Sequence, residues 1–409
     1  MTKKHHASLG FIFITVLIDI IGIGIIIPVI PTLLETLSGK GLSEASQWGG
    51  FLLFSYAIMQ FIFAPIMGEL SDRFGRRKIL LGALFLLGID YIFHALAPNL
   101  IWLFIGRILA GIGGGSFTVA TAYVADISTP EKKAQNFGMI GAAFGLGFIL
   151  GPVIGGVFSE FGIRIPFYIA AGLTLLNLVY GFLILPESLP IEKRRKFNIK
   201  KANPIGALKY LKRNKTVANF ALTYFFIFLA NFAVQSTWSF FTMYQFKWDS
   251  QIVGYSLGVV GIMVAIVQGG LIRVSHKFIG TNRSIILGYI FTFIGLILFA
   301  LANKSWMMFL FIIPYCIGGI AGPSLQSLMS NLSSEKEQGK LQGGLTCIMS
   351  ITSIIGPVLM TNTFAFFTKS EEIHFPGAPF ILGAIFILIS LSIVIPTLKK
   401  IGNIEHNTK

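Results

Sequence analysis

Charge is what this sequence has least of. Lys, Arg, Asp and Glu make up 12% of its 409 residues and hydrophobic residues 54%, against roughly 25% charged in soluble chains. A soluble core cannot bury that much apolar surface. Cysteine is nearly absent as well: Cys316 and Cys347 stand far apart inside apolar runs. That excludes a zinc-ligand spacing and an extracellular disulfide pair, and leaves the two thiols as ordinary apolar filling. There is no Gly-x-x-x-x-Gly-Lys-Ser/Thr loop to cradle the phosphates of a nucleotide, so a primary pump is excluded. Gly88-Ile89-Asp90 lacks the Gly-x-Gly-Asp form of membrane aspartyl proteases, which argues against an enzyme. No cofactor and no metal are expected.

What is present is a series of apolar runs, each long enough to cross the roughly 30 Å hydrocarbon layer of a bilayer. The pattern predicts spans over residues 8–30, 47–68, 79–97, 100–122, 136–158, 166–185, 216–241, 251–272, 284–302, 306–328, 340–365 and 378–398. The first follows Lys3 and Lys4 as a signal peptide would, but it carries Asp19 at its middle and lacks a small-x-small cleavage site. It is therefore counted as a span. The predicted fold is an all-α membrane protein with twelve transmembrane helices.

A formal charge of +15 raises the question of nucleic acid, and its placement answers it. With the amino terminus inside, Lys40, Arg164, Lys247, Lys304 and Lys369 fall outside and Arg107 in the membrane, and the rest of the 32 Lys and Arg fall inside. This is the positive-inside bias of an inner-membrane protein with both termini cytoplasmic, and it leaves no excess for a nucleic-acid partner. Trp48, Trp102, Trp238, Trp248 and Trp306 all lie near the outer ends of their spans, as interfacial aromatics.

One long polar stretch, 186–215, divides the spans six and six. The expected organisation is an amino-terminal half, 1–185, a cytoplasmic linker, 186–215, and a carboxy-terminal half, 216–409. Gly75, Asp126, Gly138, Gly151 and Pro152 recur as Gly280, Asn331, Gly343, Gly356 and Pro357 at one constant offset. Duplicated six-helix halves are a mark of transporters that bind substrate near the membrane midplane.

Asp19, Asp90 and Arg107 fall within spans. Each would cost at least about 2.5 kcal/mol at the bilayer centre, so all three must face protein or water. Desolvation favours the neutral form of a carboxyl such as Asp19, set among Ile18, Ile20 and Ile21, and so equips it to bind and release a proton. Arg107 is alternatively a plain neutralising partner for one of the two carboxylates. His94, one turn beyond Asp90, offers a proton relay. Its neighbours Pro98 and Asn99 place it instead at the interface, where a polar tip reaches water. Gln60, Asn177, Asn231, Gln235, Trp238 and Gln268, with Phe144 and Phe228, supply lining for an amphipathic aromatic substrate. Individually, the amides serve equally well as glue between helices.

Between spans two and three stands Gly68-Glu69-Leu70-Ser71-Asp72-Arg73-Phe74-Gly75-Arg76-Arg77-Lys78, read as a short inner loop whose glycines allow a tight turn. It resembles the signature loop of the major facilitator superfamily, in which Asp and Arg residues latch the inner gate. The resemblance gives that role to Gly68, Asp72, Arg73, Gly75, Arg76 and Arg77. Arg107-Ile108-Leu109-Ala110-Gly111 is similar to the family's second motif, which implies proton coupling for Arg107. Gly147-Phe148-Ile149-Leu150-Gly151-Pro152-Val153-Ile154-Gly155-Gly156 is similar to the motif of its antiporters. There Gly147, Gly151, Gly155 and Gly156 allow close helix packing and Pro152 bends the helix.

The resemblance extends over nearly the whole chain to the tetracycline/proton antiporters: Leu17-Ile18-Asp19-Ile20-Ile21-Gly22, Tyr56-Ala57-Ile58-Met59-Gln60, Asp90-Tyr91, Val253-Gly254-Tyr255-Ser256-Leu257 and Pro323-Ser324-Leu325-Gln326. It implies translocation of substrate or protons by Asp19 and Asp90, coupling by Arg107, and a place for Gln268 on the path. Two positions depart from it. Thr292 and Val264 stand where those antiporters carry an acidic residue and a histidine associated with coupling and with the metal-chelated drug. The expected function is therefore proton-coupled export of an amphipathic drug, with tetracycline as one option. The alternative is a metabolite transporter of the same fold, importing or exporting. The expected partners are the substrate, protons and lipid, and the expected working form is a monomer.

Overall fold

The computed structural model describes residues 3–195, 208–211, 215–334 and 337–407. Of the stretch read as a linker, 196–207 and 212–214 lie outside the described residues, and with them the basic residues Lys196, Lys200 and Lys201.

Among the described residues twelve helices are long and apolar enough to span a membrane, one for each predicted run. They are α1 (Leu9–Ile26), α2 (Leu42–Phe74), α3 (Arg76–Leu96), α4 (Leu100–Ile127), α5 (Gln135–Phe161) and α6 (Ile165–Ile184), then α7 (Lys215–Phe246), α8 (Ser250–Ile279), α9 (Thr281–Leu301), α10 (Ser305–Asn331), α11 (Gln338–Lys369) and α12 (Ala378–Lys400). The first ends before its predicted limit at residue 30. Pro28 and Pro31 cannot continue its hydrogen bonding, so the chain turns at 27–29 and starts a separate helix, Ile30–Ser38.

The duplication holds to the residue at two pairs of helix ends. The ends of α2 and α3 at Phe74 and Leu96 correspond to those of α8 and α9 at Ile279 and Leu301, at the same offset as the repeated glycines. Gly75 and Gly280, the single residues between these helices, have φ of 100° and 79°, a region that side chains with a Cβ seldom enter. Pro65 interrupts the hydrogen bonding of α2, and its counterpart in α8 lies in a π-helical segment, Val267–Leu271. In α4 a break at Gly114 and Gly115 matches a 3-10 turn, Gly318–Ile320, in α10.

The stretch 68–78 is thus not a loop. Gly68 lies within α2, and Gly75 alone makes the turn. Charged side chains let both helix ends run past the apolar layer, so the hydrophobic run underestimates helix length.

The helices fall into two compact units, Met1–Asn203 with Trp248–Gly261, and Pro204–Lys247 with Ile262–Lys409. In unit 1 an apolar core of Phe11, Ile12, Val16, Leu80, Val119, Tyr123 and Ile140 joins α1, α3, α4 and α5. The stripe Gly147, Gly151 and Gly155, one residue per turn of α5, lies directly on α1. A Cβ at Gly151 would stand 2.7 Å from the Ile21 carbonyl oxygen, and one at Gly155 would collide with that of Ile25. The opposite edge, Pro152 and Gly156, takes the backbone of Ser250, Gln251 and Gly254 at the start of α8. Small residues here admit helix backbones into contact, which is how helices associate in lipid.

Unit 2 has an aromatic interior. Trp238 meets Phe299 edge-on at 5.1 Å, Phe380 lies 4.9 Å from Phe241, and Tyr315 lies 5.4 Å from Phe299. Trp238 and Trp248 are 2% and 5% exposed, which corrects their reading as interfacial aromatics. Helix α7 is more than half buried, so a tryptophan near its end packs inward. Trp48, Trp102 and Trp306 remain exposed.

Candidate functional site

The three charges placed inside the membrane lie in unit 1, and two of them form an ion pair. The Arg107 Nε donates to Asp90 Oδ1 at 3.1 Å, and its Nη2 donates to Asp90 Oδ2. Asp90 has no exposed surface and Arg107 7%. A two-pronged guanidinium–carboxylate contact is the geometry that best offsets the desolvation of both ions. The sequence brings the partners together through Gly106, where a Cβ would sit 2.6 Å from Asp90 Oδ1. The Arg107 guanidinium also lies over the Tyr56 ring at 5.8 Å.

His94 belongs to this cluster, not to the interface. Its ring is fully buried, stacked on Phe167 at 5.5 Å, with Nδ1 2.9 Å from the Asp90 carbonyl oxygen and 3.1 Å from Asp90 Oδ1. The four-residue spacing from Asp90 made that contact available. The nearby Pro98 and Asn99 were misleading because Arg164, at the head of α6, covers the end of α3, donating to the Ala95 and Ala97 carbonyls at 2.8 and 2.7 Å.

Asp19 is 8% exposed. The Ser116 hydroxyl hydrogen-bonds its carboxyl, while its Oδ1 has no hydrogen-bond partner. Ser116 opens the second segment of α4, just after the Gly114–Gly115 break. On the first side of that break, Gln60 Nε2 donates to the Gly114 carbonyl at 3.1 Å and lies 3.3 Å from the Tyr56 hydroxyl. Irregular backbone inside a membrane leaves polar groups that need partners, and these side chains supply them. Gln60, Tyr56, Arg107 and Asp90 are thereby linked in one chain of contacts. Of the other polar residues expected to line a pocket in this unit, Asn177 accepts from Thr15 at 3.4 Å.

Phe144 is exposed in unit 1, 5.1 Å from Phe148, and the other lining residues read from the sequence lie in unit 2. Asn231 accepts from the Tyr315 hydroxyl at 3.5 Å, Gln235 is exposed, and Gln268 is exposed on the π segment of α8. Trp238 is part of the packed aromatic interior, and Phe228 lies 4.5 Å from Tyr224. The positions that correspond by the repeat to Asp19, Asp90, His94 and Arg107 are Tyr224, Gly295, Phe299 and Ile312. The duplication kept the frame and not the charges. Thr292 is buried, its hydroxyl donating to the Gly288 carbonyl at 3.0 Å, and Val264 is exposed.

At the α2–α3 turn of unit 1 the residues of the 68–78 motif form a charge network centred on Arg76. Its Nη1 reaches Asp72 Oδ1 and Ser71 Oγ, each at 2.5 Å, and its Nε reaches Asp126 Oδ2 at 3.1 Å. Its backbone N donates to Glu187 Oε1 at 2.8 Å. Glu187 also accepts from the Ser188 and Leu189 backbone N atoms, pairs with Arg194 at 3.9 Å, and occupies the space beside Gly75 that a side chain would need. The other arginines do different things: Arg77 donates to the Phe182 carbonyl and Arg73 lies over the Phe74 ring at 4.9 Å. Sequence reasoning missed Glu187 and Asp126. The available signal was a carboxylate at the end of a span that the charge bias assigns to the inside, where the opposite charge is favoured.

Unequal roles for the arginines make a testable difference. Hydrogen bonds to charged groups contribute about 1.5–3 kcal/mol each, and about 1.4 kcal/mol is a factor of ten. Arg76→Gln is expected to lower transport about tenfold or more at normal membrane levels, and Arg73→Gln by less than about twofold. Equal losses in a vesicle uptake assay would refute the assignment of Arg76 as the hub.

The sequence profile of the Major Facilitator Superfamily matches residues 12–357 and 273–403. The chain is 37% identical to a tetracycline resistance protein, class C, of Escherichia coli, over 95% of this chain and 96% of that one. It is 34% identical to a tetracycline resistance protein, class H, of Pasteurella multocida, over 93% and 94%. Among solved structures, a bacterial homologue of the human lysosomal transporter Spinster superposes with a TM-score of 0.78 over 97% of both chains at 16% identity, which bears on the fold. The sequence repeat, the twelve helices and these likenesses converge: the chain belongs to the major facilitator superfamily and is a multi-pass secondary transporter of small molecules, not an enzyme.

Proposed function

We propose that this chain exports an amphipathic drug of the tetracycline class from the cytoplasm in exchange for protons, from a bacterial inner membrane with both termini cytoplasmic. The observation that carries this reading is the buried Asp90–Arg107 pair, in the same compact unit as the buried Asp19. Buried ions are costly, and in membrane proteins they mark ion pathways. The drug class is carried over from the names of the two resistance proteins, each at least 34% identical over at least 93% of this chain.

In this reading Asp19, whose Oδ1 is unpartnered, takes and releases the transported proton, and the Asp90–Arg107 pair responds to it. Coupling requires only that proton and drug favour different conformations in an alternating-access cycle. Thr292 spends its hydroxyl on its own helix, so the proton chemistry is assigned to unit 1. The Arg76 network is the inner gate. Gln60, Asn231, Gln235, Trp238 and Gln268 are assigned to drug binding or to the helix contacts that shape its site, and a monomer is the working form.

The test is uptake of tetracycline by everted vesicles from a host lacking its own exporters. Acidifying the lumen is expected to drive drug accumulation at least about tenfold above control vesicles, with protons leaving as drug enters. Accumulation without proton efflux removes antiport, and no response across a panel of amphipathic drugs removes drug export.

A further inference from the structure

Nδ1 of His94 faces two oxygens, the Asp90 carbonyl at 2.9 Å and Asp90 Oδ1 at 3.1 Å. A backbone carbonyl only accepts, so Nδ1 carries the hydrogen and the neutral ring keeps its lone pair on Nε2. That atom is fully buried and has no hydrogen-bond partner, a costly state for a polar group unless it serves a purpose. The charged groups around the ring are Asp90 on its own helix, Arg107 on α4 next to Gly106, whose Cβ position is 3.3 Å from Nδ1, and Arg164 on the adjoining Ala95 and Ala97 carbonyls. Phe167 of α6 covers one face of the ring.

We propose that His94 is a proton-binding member of the ion-pair cluster: a proton bound at Nε2 makes the ring a second cation on Asp90 and loosens Arg107. The lone pair of Nε2 forms the new N–H bond, no other bond breaks, and the charge of the three-residue group rises from zero to +1. Asp90 Oδ1 already receives both Arg107 Nε and the histidine ring, so the two cations compete for one oxygen. Loss of the proton restores Arg107 as the single cationic partner. His94 stands two residues from the end of α3, the end assigned to the outer face, where a proton arriving from outside reaches it before it reaches Asp90.

This inference rests on the reading of proton coupling, and the two fail separately. His94→Asn keeps a donor near the Nδ1 position and removes the titrating ring. With a fixed pH difference across the membrane, wild-type exchange is expected to change at least about tenfold as both pH values are moved together over the range in which that exchange is proton-driven. In His94→Asn that change is expected to shrink at least about threefold, leaving the part that Asp19 carries. An unchanged profile in His94→Asn, with wild-type exchange still proton-driven, overturns the inference and leaves drug/proton exchange standing. Absence of proton-driven exchange in the wild type removes the underlying reading instead.

If His94→Asn fails to assemble, 15N NMR of a chain in which the five other histidines are replaced, in lipid, reads Nε2 directly. A change from the bare to the protonated signal is expected within the range over which wild-type exchange is proton-driven. A bare Nε2 throughout overturns the inference.

Discussion

Asp90→Asn and Arg107→Gln are each expected to lower transport by more than about 100-fold and to reduce the amount of folded protein, and the double substitution to restore the protein but not the transport. The cause is the two-pronged pair, in which both ions are almost free of solvent. Removing one partner of a buried pair typically costs about 3–5 kcal/mol, because the other charge is left unsatisfied. At about 1.4 kcal/mol per tenfold change, that exceeds a hundredfold in any equilibrium that needs the pair. Replacing both by neutral amides removes the stranded charge, so thermal stability in detergent should return close to wild type. Transport should not return, since two amides have no charge for a proton or a drug to redistribute. A double variant that accumulates drug with the wild-type pH dependence would reduce Asp90 and Arg107 to structural glue.

The parts of the molecule that were legible in the sequence are those governed by one-dimensional rules. Apolar runs gave twelve spans because every backbone group in hydrocarbon must be satisfied within its own helix. The constant offset gave the duplication, down to the positive-φ turns at Gly75 and Gly280. Helix ends were less legible, since charged turns such as 68–74 stay helical beyond the lipid. Partners that meet only in three dimensions were the least legible. Glu187 and Asp126 converge on Arg76 from two other helix ends, and a carboxylate at a span's end marks a role without naming its partner. His94 could be assigned in two ways because Arg164, which closes the end of α3 above it, comes from a span much later in the chain. Trp238 misled because position along a helix does not reveal which face is buried.

Asp19→Asn should separate proton coupling from drug binding more cleanly than any change to the ion pair. The side chain is nearly buried, with the Ser116 bond on one side and an unpartnered Oδ1 on the other. Asparagine has the same shape and no ionised state, and a neutral amide is cheaper to bury than a carboxylate. Folding is therefore expected to be unchanged or slightly improved. Uptake driven by a pH gradient should fall more than about 100-fold, because the variant has no group at this position to carry a proton across. Exchange of labelled for unlabelled drug at equal pH needs no net proton movement, and it should continue within about threefold of wild type. Loss of both activities would make Asp19 a drug ligand, and retention of both would move the proton to another residue. Asp19→Glu keeps the acid but adds a methylene beside the close contact between Gly22 and the Tyr91 hydroxyl, where overpacking costs about 1–3 kcal/mol. Its exchange should be slower yet still driven by the pH gradient, which would assign the coupling to the carboxyl itself and not to the shape of the side chain.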